Sequence, residues 1–313
     1  MHQLISNILL LLSGLLVLLY YSPLKFRWPL AVLVELWPYW GVIPFVSLAL
    51  VVSIPRLRHQ MLRVGLATLL FVLIGAPVFG WVGFPSSGAA PEGLRVMAYN
   101  LWIDNPNPKA IEQSILREDP DILFLSEVSQ AMMAELRSQL DFPYSYRTSG
   151  SNNALLSQYP ILDATTEDFG VKTRGQTFSL VAKLQLENDI VTVIGIHPPV
   201  PLIQTFFHIR NQQLDTFAKA SQAVEGKLMV LGDFNATPWS AHFQRFERLS
   251  QLQNTGHRRW IWATWYFNQT LKTRYIKIPL DHIETRGFKV LKTWTGQTGG
   301  SDHKPVITVL EPA

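Results

Sequence analysis

The chain of 313 residues contains no cysteine and carries few charges. Without thiols there is no disulfide framework, so the sequence does not indicate whether its compartment is oxidising or reducing. Charged residues make up 16% of the chain, and the formal net charge is +4. So small an excess of basic residues does not demand a nucleic-acid partner, because an acidic lipid surface would satisfy the same charge.

The sequence also lacks the cleavage site of a signal peptide, because no small-x-small motif follows Tyr20. Long hydrophobic runs, in contrast, fill the first quarter of the chain. They lie at Leu4–Tyr20, Leu30–Ile54 and Leu62–Phe84, and each is close to the roughly 20 residues that cross a bilayer as a helix. We therefore predict three transmembrane helices. Glu35, inside the second, is expected near an interface or facing the other helices, since a carboxylate in hydrocarbon is costly.

Basic residues beside these runs predict the orientation of the chain in a membrane. Arg56, Arg58 and Arg63 lie in the second connection, against Lys25 and Arg27 in the first. Connections rich in Lys and Arg stay in the cytoplasm. The sequence therefore predicts a multi-pass protein of the cell (inner or plasma) membrane, with its C-terminal domain outside the cytoplasm.

A change in composition marks the end of the membrane part. The stretch PSSGAAPE has the small residues, proline and glycine of a linker. We predict a membrane domain at 1–84, a linker at 85–93 and one further domain at 94–313. In that domain, strand-like apolar runs alternate with amphipathic helical segments, which predicts an α/β (α+β) fold of two mixed sheets packed face to face, with helices outside.

Polar side chains stand at the ends of several predicted strands. Residues two apart in a strand point to the same face, so Asp233 and Asn235 in LGDFN project together from a sheet edge. Alone, an Asp-x-Asn after a strand is more often a turn that bonds its own backbone. The other polar tips make a shared site the stronger interpretation, and they are Asn100, Glu127, His197, Asp281, Asp302 and His303.

In their order along the chain, the motifs AYNLW, LFLSEV, GIHPP, GDFN, PLDHI and GSDH resemble those of the endonuclease/exonuclease/phosphatase superfamily. This superfamily includes DNase I, abasic-site endonucleases, sphingomyelinases and inositol polyphosphate phosphatases. The resemblance covers about 94–310. It implies a four-layered α/β sandwich and a hydrolase of phosphoester or phosphoanhydride bonds that uses Mg²⁺ or Mn²⁺.

The resemblance also implies a metal site. Asn100 and Glu127 match the amide and the carboxylate of the family's metal site, and Glu127 would bind the ion directly. Asp302 is similar to the acidic residue at the second metal position or in its water shell. An oxygen-donor site with few carboxylates leaves several waters on the ion, as expected for Mg²⁺ or Mn²⁺.

The remaining matched residues are implied to act on the substrate. Asp233 resembles the residue that orients or deprotonates the attacking water, and Asn235 resembles a donor to a phosphate oxygen. His303 resembles the imidazole that stabilises phosphoryl charge, and Asp281 the carboxylate that fixes its tautomer. His197 matches the second histidine of many members, although a purely structural histidine at a strand end is the alternative.

Three hypotheses about the function stay open. Similarity to the bacterial membrane-anchored branch of the superfamily, together with a membrane tether, favours a phosphate or pyrophosphate that is linked to a lipid. A membrane-attached nuclease of the DNase I type is the alternative, and the basic and aromatic segment 256–275 is its nearest candidate for nucleic-acid contact. Trp102 lies two residues after Asn100, where the abasic-site enzymes carry a nearby acidic residue. This difference counts against DNA as the substrate. A third hypothesis is a non-catalytic binding protein. The oligomeric state is not predicted.

Overall fold

The computed structural model describes residues 2–53, 60–79, 81, 88, 90–169, 171, 178–187, 189–257, 263–266 and 276–313. The chain divides into two compact units, Met1–Val82 with Trp239–Ala241, and Gly83–Pro238 with His242–Ala313. Predictions that concern Arg56, Arg58, most of the linker and most of segment 256–275 lie outside the described residues.

The first unit is helical. Its helices are α1 (His2–Tyr21), α2 (Leu30–Glu35), α3 (Trp37–Trp40), α4 (Val42–Ser53) and α5 (Met61–Phe79). Within the described residues, α1 and α5, with 20 and 19 residues, are the two helices long and apolar enough to cross a membrane. Core helices of soluble proteins and signal sequences share these properties, so membrane insertion remains a prediction.

The second predicted span is not one helix, which corrects the prediction of three spanning helices to two candidates in the described part of the chain. The chain leaves helical geometry at Leu36, where φ is −95° and ψ is 18°, and Pro38 lies in the first turn of α3. Proline lacks the N–H that would continue an existing helix. The apolar helical stretch that follows, Trp37–Ser53, is shorter than either candidate span, and a helix needs roughly 20 residues to cross the hydrocarbon layer.

Two six-stranded mixed sheets form the centre of the second unit. The first sheet has the spatial order β13 (Phe288–Thr295), β14 (Val306–Pro312), β1 (Leu94–Asn100), β2 (Ile122–Ser126), β4 (Ala154–Ser157) and β3 (Tyr144–Arg147). The second has the order β5 (Ile161–Glu167), β6 (Ser179–Leu186), β7 (Asp189–Ile196), β8 (Lys227–Asp233), β12 (Asp281–Arg286) and β9 (Gln253–Asn254). The short strands β10 (Trp265–Tyr266) and β11 (Lys277–Ile278) pair separately.

The sheets pack face to face, as predicted. One buried apolar cluster joins residues of both sheets, among them Val96, Phe124, Val193, Met229 and Leu231. Four helices of the unit are α6 (Pro108–Glu118), α7 (Gln130–Gln139), α8 (Gln204–Ala223) and α9 (Ala241–Ser250). A second cluster packs α6 and α7 against the first sheet, and a third packs α8 and α9 against the second sheet. The mixed α/β architecture is therefore confirmed.

Two glycines allow the sheets and strands to approach closely. A Cβ atom on Gly195 would lie 2.1 Å from Cε2 of Phe124 in the opposite sheet. A Cβ on Gly232 would lie 2.1 Å from the carbonyl oxygen of Ile196, and its φ of +135° disfavours any residue with a side chain. Both strand ends next to the polar residues thus depend on the absence of a side chain.

The strand directions explain why the polar tips meet. β1 runs parallel to β2, with Asn100 opposite Ser126, and β7 runs parallel to β8. Within each sheet the carboxyl ends of the parallel pair therefore lie at one edge, and a hydrogen bond from Asn100 to Asp233 joins the two edges. β12 runs antiparallel to β8 and pairs Asp281 with Asp233, which adds a residue from its amino end.

Candidate active site

Asn100 lies at the centre of the polar cluster. Its Nδ2 donates to Oε1 of Glu127 at 3.0 Å and to Oδ2 of Asp233 at 3.1 Å, so one amide connects a carboxylate of each sheet. The Oδ1 of Asn100 accepts from the backbone N of Trp102 at 3.0 Å. Asn100 is only 1% exposed. Its amide is therefore fixed at both ends, and its nitrogen faces the acidic groups.

Glu127 is held at the strand end in an unusual backbone conformation. Its φ is +55°, in the left-handed region that non-glycine residues seldom adopt. Its Oε2 accepts from the backbone N of Ile103 at 3.0 Å. Burial would raise the pKa of Glu127, but the charge of His197 and the hydrogen bonds from Asn100 and Ile103 lower it overall. The side chain is consequently an anion at neutral pH.

Asp233 and His303 face each other in the buried part of the cluster. His303 Nε2 lies 3.7 Å from Asp233 Oδ2, and His303 Nδ1 lies 2.8 Å from Asp281 Oδ2. The Asp281 contact fixes the ring orientation, and with Nδ1 donating to that carboxylate, Nε2 is directed at Asp233. The Asp281 carboxylate thus lies behind the imidazole, in the place that the family resemblance implies for it.

The two groups have opposite tendencies to hold charge. Burial alone would lower the pKa of His303, but the negative charges of Asp281 and Asp233 raise it to about 10. Burial and the nearby Asp281 raise the pKa of Asp233 to about 6, against the opposing effect of the histidines. At pH 8 the site thus combines an imidazolium with a carboxylate that is able to accept a proton.

His197 and Asn235 complete the cluster. His197 Nε2 lies 3.5 Å from Glu127 Oε1 and 3.7 Å from Asp233 Oδ2. Asn235 has a left-handed φ of +48°, and its backbone N donates to Asp233 Oδ1 at 2.8 Å. Its side-chain Nδ2 donates to the carbonyl of Pro198 at 2.9 Å. The same nitrogen lies 3.5 Å from Asp233 Oδ2. Because an amide nitrogen carries two hydrogens, donation to a phosphate would replace one of these two contacts.

Asp302 lies at the margin of the cluster. Its Oδ2 accepts from Nε1 of Trp265 at 3.1 Å. Burial raises the pKa of Asp302 and the negative charge of Glu127 raises it further, whereas His303 opposes the rise. Asp302 and Glu127 therefore repel each other, and a cation between them would relieve that repulsion.

The donor set at Glu127 and Asp302 suits a hard divalent cation. Both offer carboxylate oxygens, which Mg²⁺ and Mn²⁺ prefer. Asn100 presents its nitrogen to Glu127, so in this orientation it orients a candidate metal ligand and does not offer its own oxygen to an ion. A second group, Asp233, Asp281 and His303, has ligand atoms that all lie within 4.8 Å of one another. All eight predicted residues belong to this edge of the sheets, while their individual roles stay predictions.

Sequence reasoning missed two residues that join these segments. Ser301 Oγ donates to the carbonyl of Asn100 at 2.7 Å and accepts from the backbone N of His303 at 2.9 Å. Thr264 Oγ1 accepts from the backbone N of Leu280 and of Asp281 at 2.9 and 3.0 Å. Ser301 in GGSDH was visible as a hydroxyl beside two matched residues, but no local pattern distinguishes Thr264.

A second buried carboxylate lies on β12, three residues after Asp281. Glu284 is fully buried, its Oε1 accepts from Asn254, and its Oε2 has no hydrogen-bond partner among the described residues. Burial and the charge of the nearby Glu247 raise the pKa of Glu284 well above 4.5. Glu284 is therefore protonated in the folded chain under conditions where it ionises in the unfolded chain.

This difference predicts that stability falls as pH rises. Above pH 4.5 the unfolded chain releases the Glu284 proton while the folded chain keeps it, so the unfolding free energy falls by up to about 1.4 kcal/mol per pH unit until the folded pKa is reached. We expect Glu284→Gln to remove this contribution and to make the decrease in stability above pH 4.5 shallower. Urea unfolding of the full chain in detergent measures it. Glu311→Gln, at an exposed site, is the control, and a wild-type slope in Glu284→Gln would contradict the assignment.

The model of the Endonuclease/Exonuclease/phosphatase family matches residues 97–303. A UPF0294 protein of Vibrio campbellii is 28% identical over 131 residues, which are 41% of this chain and 43% of the relative. A second, from Vibrio vulnificus, is matched over 32% of its length. The chain thus aligns with less than half of these relatives.

Solved structures share the fold at low identity. D. rerio TDP2 complexed with a single strand DNA product has a TM-score of 0.61 and 16% identity, over 71% of this chain and 100% of that one. Sphingomyelinase C from Streptomyces griseocarneus has a TM-score of 0.55 and 16% identity, over 70% of this chain and 99% of that one. Because the family match covers most of the second unit and its motifs meet at one edge, the chain belongs to the endonuclease/exonuclease/phosphatase family of phosphoester-hydrolysing enzymes.

Proposed function

We propose that the chain is a membrane-anchored, divalent-metal-dependent phosphoesterase that hydrolyses a phosphate ester or pyrophosphate of a lipid-linked substrate. One observation carries the proposal: a single amide, that of Asn100, connects Glu127 to Asp233, and Asp233 faces His303. A candidate metal ligand, a proton acceptor and a cationic donor thereby lie within a few ångströms of one another, which is what in-line displacement at phosphorus requires.

Each side chain has a role that its contacts allow. The water oxygen bonds to phosphorus as the bond to the leaving oxygen breaks, and the proton of that water passes to Oδ2 of Asp233. His303, held by Asp281, donates from Nε2 to a phosphoryl oxygen and stabilises the developing charge. A Mg²⁺ or Mn²⁺ held by Glu127 and Asp302 would supply Lewis-acid polarisation of the phosphoryl group.

Apolar residues beside the site favour a lipid-linked substrate. The segment that follows His197 and Pro198 exposes Leu202, at 68%, and Ile203, at 52%, along with Val200 and Phe206. Trp102 and Ile103 are also exposed, and their backbone amides donate to the side chains of Asn100 and Glu127. Exposed apolar surface next to a polar centre suits a substrate with a charged head and a hydrocarbon chain.

A membrane anchor is consistent with the same substrate. The helices α1 and α5 have the length and the apolar composition to cross a bilayer. Tethering would hold the site at a high effective concentration of lipid phosphate, whereas duplex DNA would gain little from it. The orientation proposed from the flanking basic residues puts the second unit outside the cytoplasm.

A nuclease is the second candidate, and one observation favours it. The TDP2 structure that shares this fold holds a single strand DNA product, so the fold accommodates nucleic acid in at least one case. A non-catalytic binding protein is the third candidate, but each matched residue keeps a side chain able to perform its proposed role. The three candidates differ in which substrate is cleaved, and a direct assay separates them.

The test uses the full chain, purified in detergent, with Mg²⁺ or Mn²⁺. We expect phosphate release from isoprenoid pyrophosphate that exceeds release from inorganic pyrophosphate, together with no nicking of plasmid DNA. Efficient nicking that vanishes in Glu127→Gln would replace the lipid proposal with the nuclease. Absence of turnover on lipid phosphates, soluble phosphoesters and DNA alike would leave the binding protein as the better account.

A further inference from the structure

The turn that carries Asp233 and Asn235 has an unusual backbone conformation. Asn235 has a φ of +48°, in the left-handed region that residues with a side chain seldom adopt. The hydrogen bond from its backbone N to Asp233 Oδ1 closes the turn locally. Two side chains from other elements bind the carbonyl groups of this turn, and neither was assigned a role by the sequence.

The first is Arg210, from the second turn of α8. It is only 1% exposed, and its Nη1 donates to the carbonyl oxygen of Asn235 at 2.7 Å. A buried charge is costly unless it is well paired, so its contact with this particular carbonyl calls for a reason.

The second is His282, which follows Asp281 on β12. It is 4% exposed, and its Nε2 lies 2.9 Å from the carbonyl oxygen of Ala236. Its Nδ1 lies 3.3 Å from Nδ2 of Asn254. Burial lowers the pKa of His282 to about 4, so the ring is neutral at pH 7. A neutral ring that accepts from Asn254 at Nδ1 must donate from Nε2 to Ala236.

Aromatic packing keeps this histidine in place. The ring of His282 meets Phe234 edge-on with centroids 5.3 Å apart, and it lies at a tilt to Phe243 with centroids 4.4 Å apart. Phe234 is itself the middle residue between Asp233 and Asn235. The turn is thus held in two ways. The side chain of Phe234 packs against His282, and the carbonyls of Asn235 and Ala236 accept hydrogen bonds.

We propose that Arg210 and His282 are positioning residues that clamp the carbonyls of Asn235 and Ala236, and so fix Asp233 and Asn235 for the reaction. The inference rests on the proposed function for its effect on turnover. The clamp itself is a statement about the backbone of residues 234–236. It can be measured in the metal-free chain without any substrate.

The chain offers a matched control at the other end of the same two elements. Arg286, the last residue of β12, donates from Nη2 to the carbonyls of Ser221, at 3.0 Å, and Val224, at the end of α8. It therefore makes the same kind of bond, from an arginine to backbone carbonyls, but it connects β12 to the end of α8 and not α8 to the turn after β8. Arg286 lies away from the site, unlike Arg210. The first residue of β12, Asp281, is at the site, and Arg286 is at the opposite end of that strand.

The experiment compares Arg210→Met and His282→Phe with Arg286→Met. On bis(4-nitrophenyl) phosphate or 4-nitrophenyl phosphate with Mg²⁺, we expect the first two to lower kcat per folded molecule by about 10–100-fold, with KM changed by less than about threefold, because small misplacements of reacting groups have effects of that size. His282→Gln, which keeps a donor, should restore most of kcat. Arg286→Met should keep wild-type kcat even if its melting temperature falls.

Hydrogen exchange of the metal-free chain supplies the second readout. We expect amides 234–236 to exchange at least about tenfold faster in Arg210→Met and His282→Phe than in wild type or Arg286→Met. If a variant does not fold, Arg210→Lys and His282→Asn replace them, with smaller increases expected. Unchanged exchange at 234–236, or kcat equal to that of Arg286→Met, would overturn the clamp. An inactive wild type would refute the proposed function alone, since exchange still tests the clamp.

Discussion

Replacing Asp233 with asparagine is expected to lower kcat by about 10²–10⁴-fold, the usual contribution of a general base. Asparagine preserves the size of the side chain and the acceptor for the backbone N of Asn235. It removes the acceptor for the proton of water, and it removes the negative charge that faces His303 at 3.7 Å. Steady-state kinetics of the full chain on a soluble phosphoester measures the change.

Stability provides the control for this substitution. Burial raises the pKa of Asp233 to about 6, so folding disfavours its ionised form. In Asp233→Asn, removal of that buried charge opposes the loss of the Oδ2 acceptor for Asn100, and the melting temperature at pH 8 should change little. Asp163→Asn, at an exposed position of β5, should leave both kcat and stability unchanged. A loss of activity in Asp233→Asn that merely follows a loss of folded protein would contradict a catalytic role.

Replacing Glu127 with glutamine is expected to weaken the response to Mg²⁺ together with turnover. The substitution keeps an acceptor for the amide of Ile103 but removes the anionic oxygens. Residues that only support a ligand already contribute about 10–100-fold to metal affinity, so a direct ligand should contribute at least as much. Isothermal titration of the substrate-free chain with Mn²⁺ measures affinity independently of activity.

The control for this second prediction is Glu135→Gln, at an exposed position of α7. This helix packs against the sheet that ends at Glu127. The control variant should bind Mn²⁺ as the wild type does. If Glu127→Gln also bound Mn²⁺ with wild-type affinity, the ion would have to lie elsewhere. The group formed by Asp233, Asp281 and His303 would then be the site to test, because its ligand atoms are within 4.8 Å of one another.

The site could be predicted from the sequence because strand ends are local features. An apolar run that finishes in a polar residue identifies both the strand and the edge from which the side chain projects, as at Asn100 and Glu127. The pairing of Asp233 with Asp281 is not local, since it depends on the register of β8 with β12. Motif order along the chain supplied that information through the family resemblance.

Other features depend on tertiary contacts that no local pattern encodes. Arg210 reads as one more basic residue of an amphipathic helix, yet the turn of the GDFN motif buries it. Conversely, hydropathy predicts a single helix from Leu30 to Ile54. In the structure, Pro38 and the irregular backbone at Leu36 divide this stretch. An averaged apolar composition cannot reveal a break that a single proline causes.

The most direct test of the account is phosphate release from isoprenoid pyrophosphate by the full chain, measured before and after treatment with EDTA and after Mg²⁺ is restored. The account predicts release that EDTA abolishes and Mg²⁺ recovers in the wild type, but not in Asp233→Asn or Glu127→Gln. Release that continues in EDTA, or that survives both substitutions, would contradict a metal-dependent centre built from these residues.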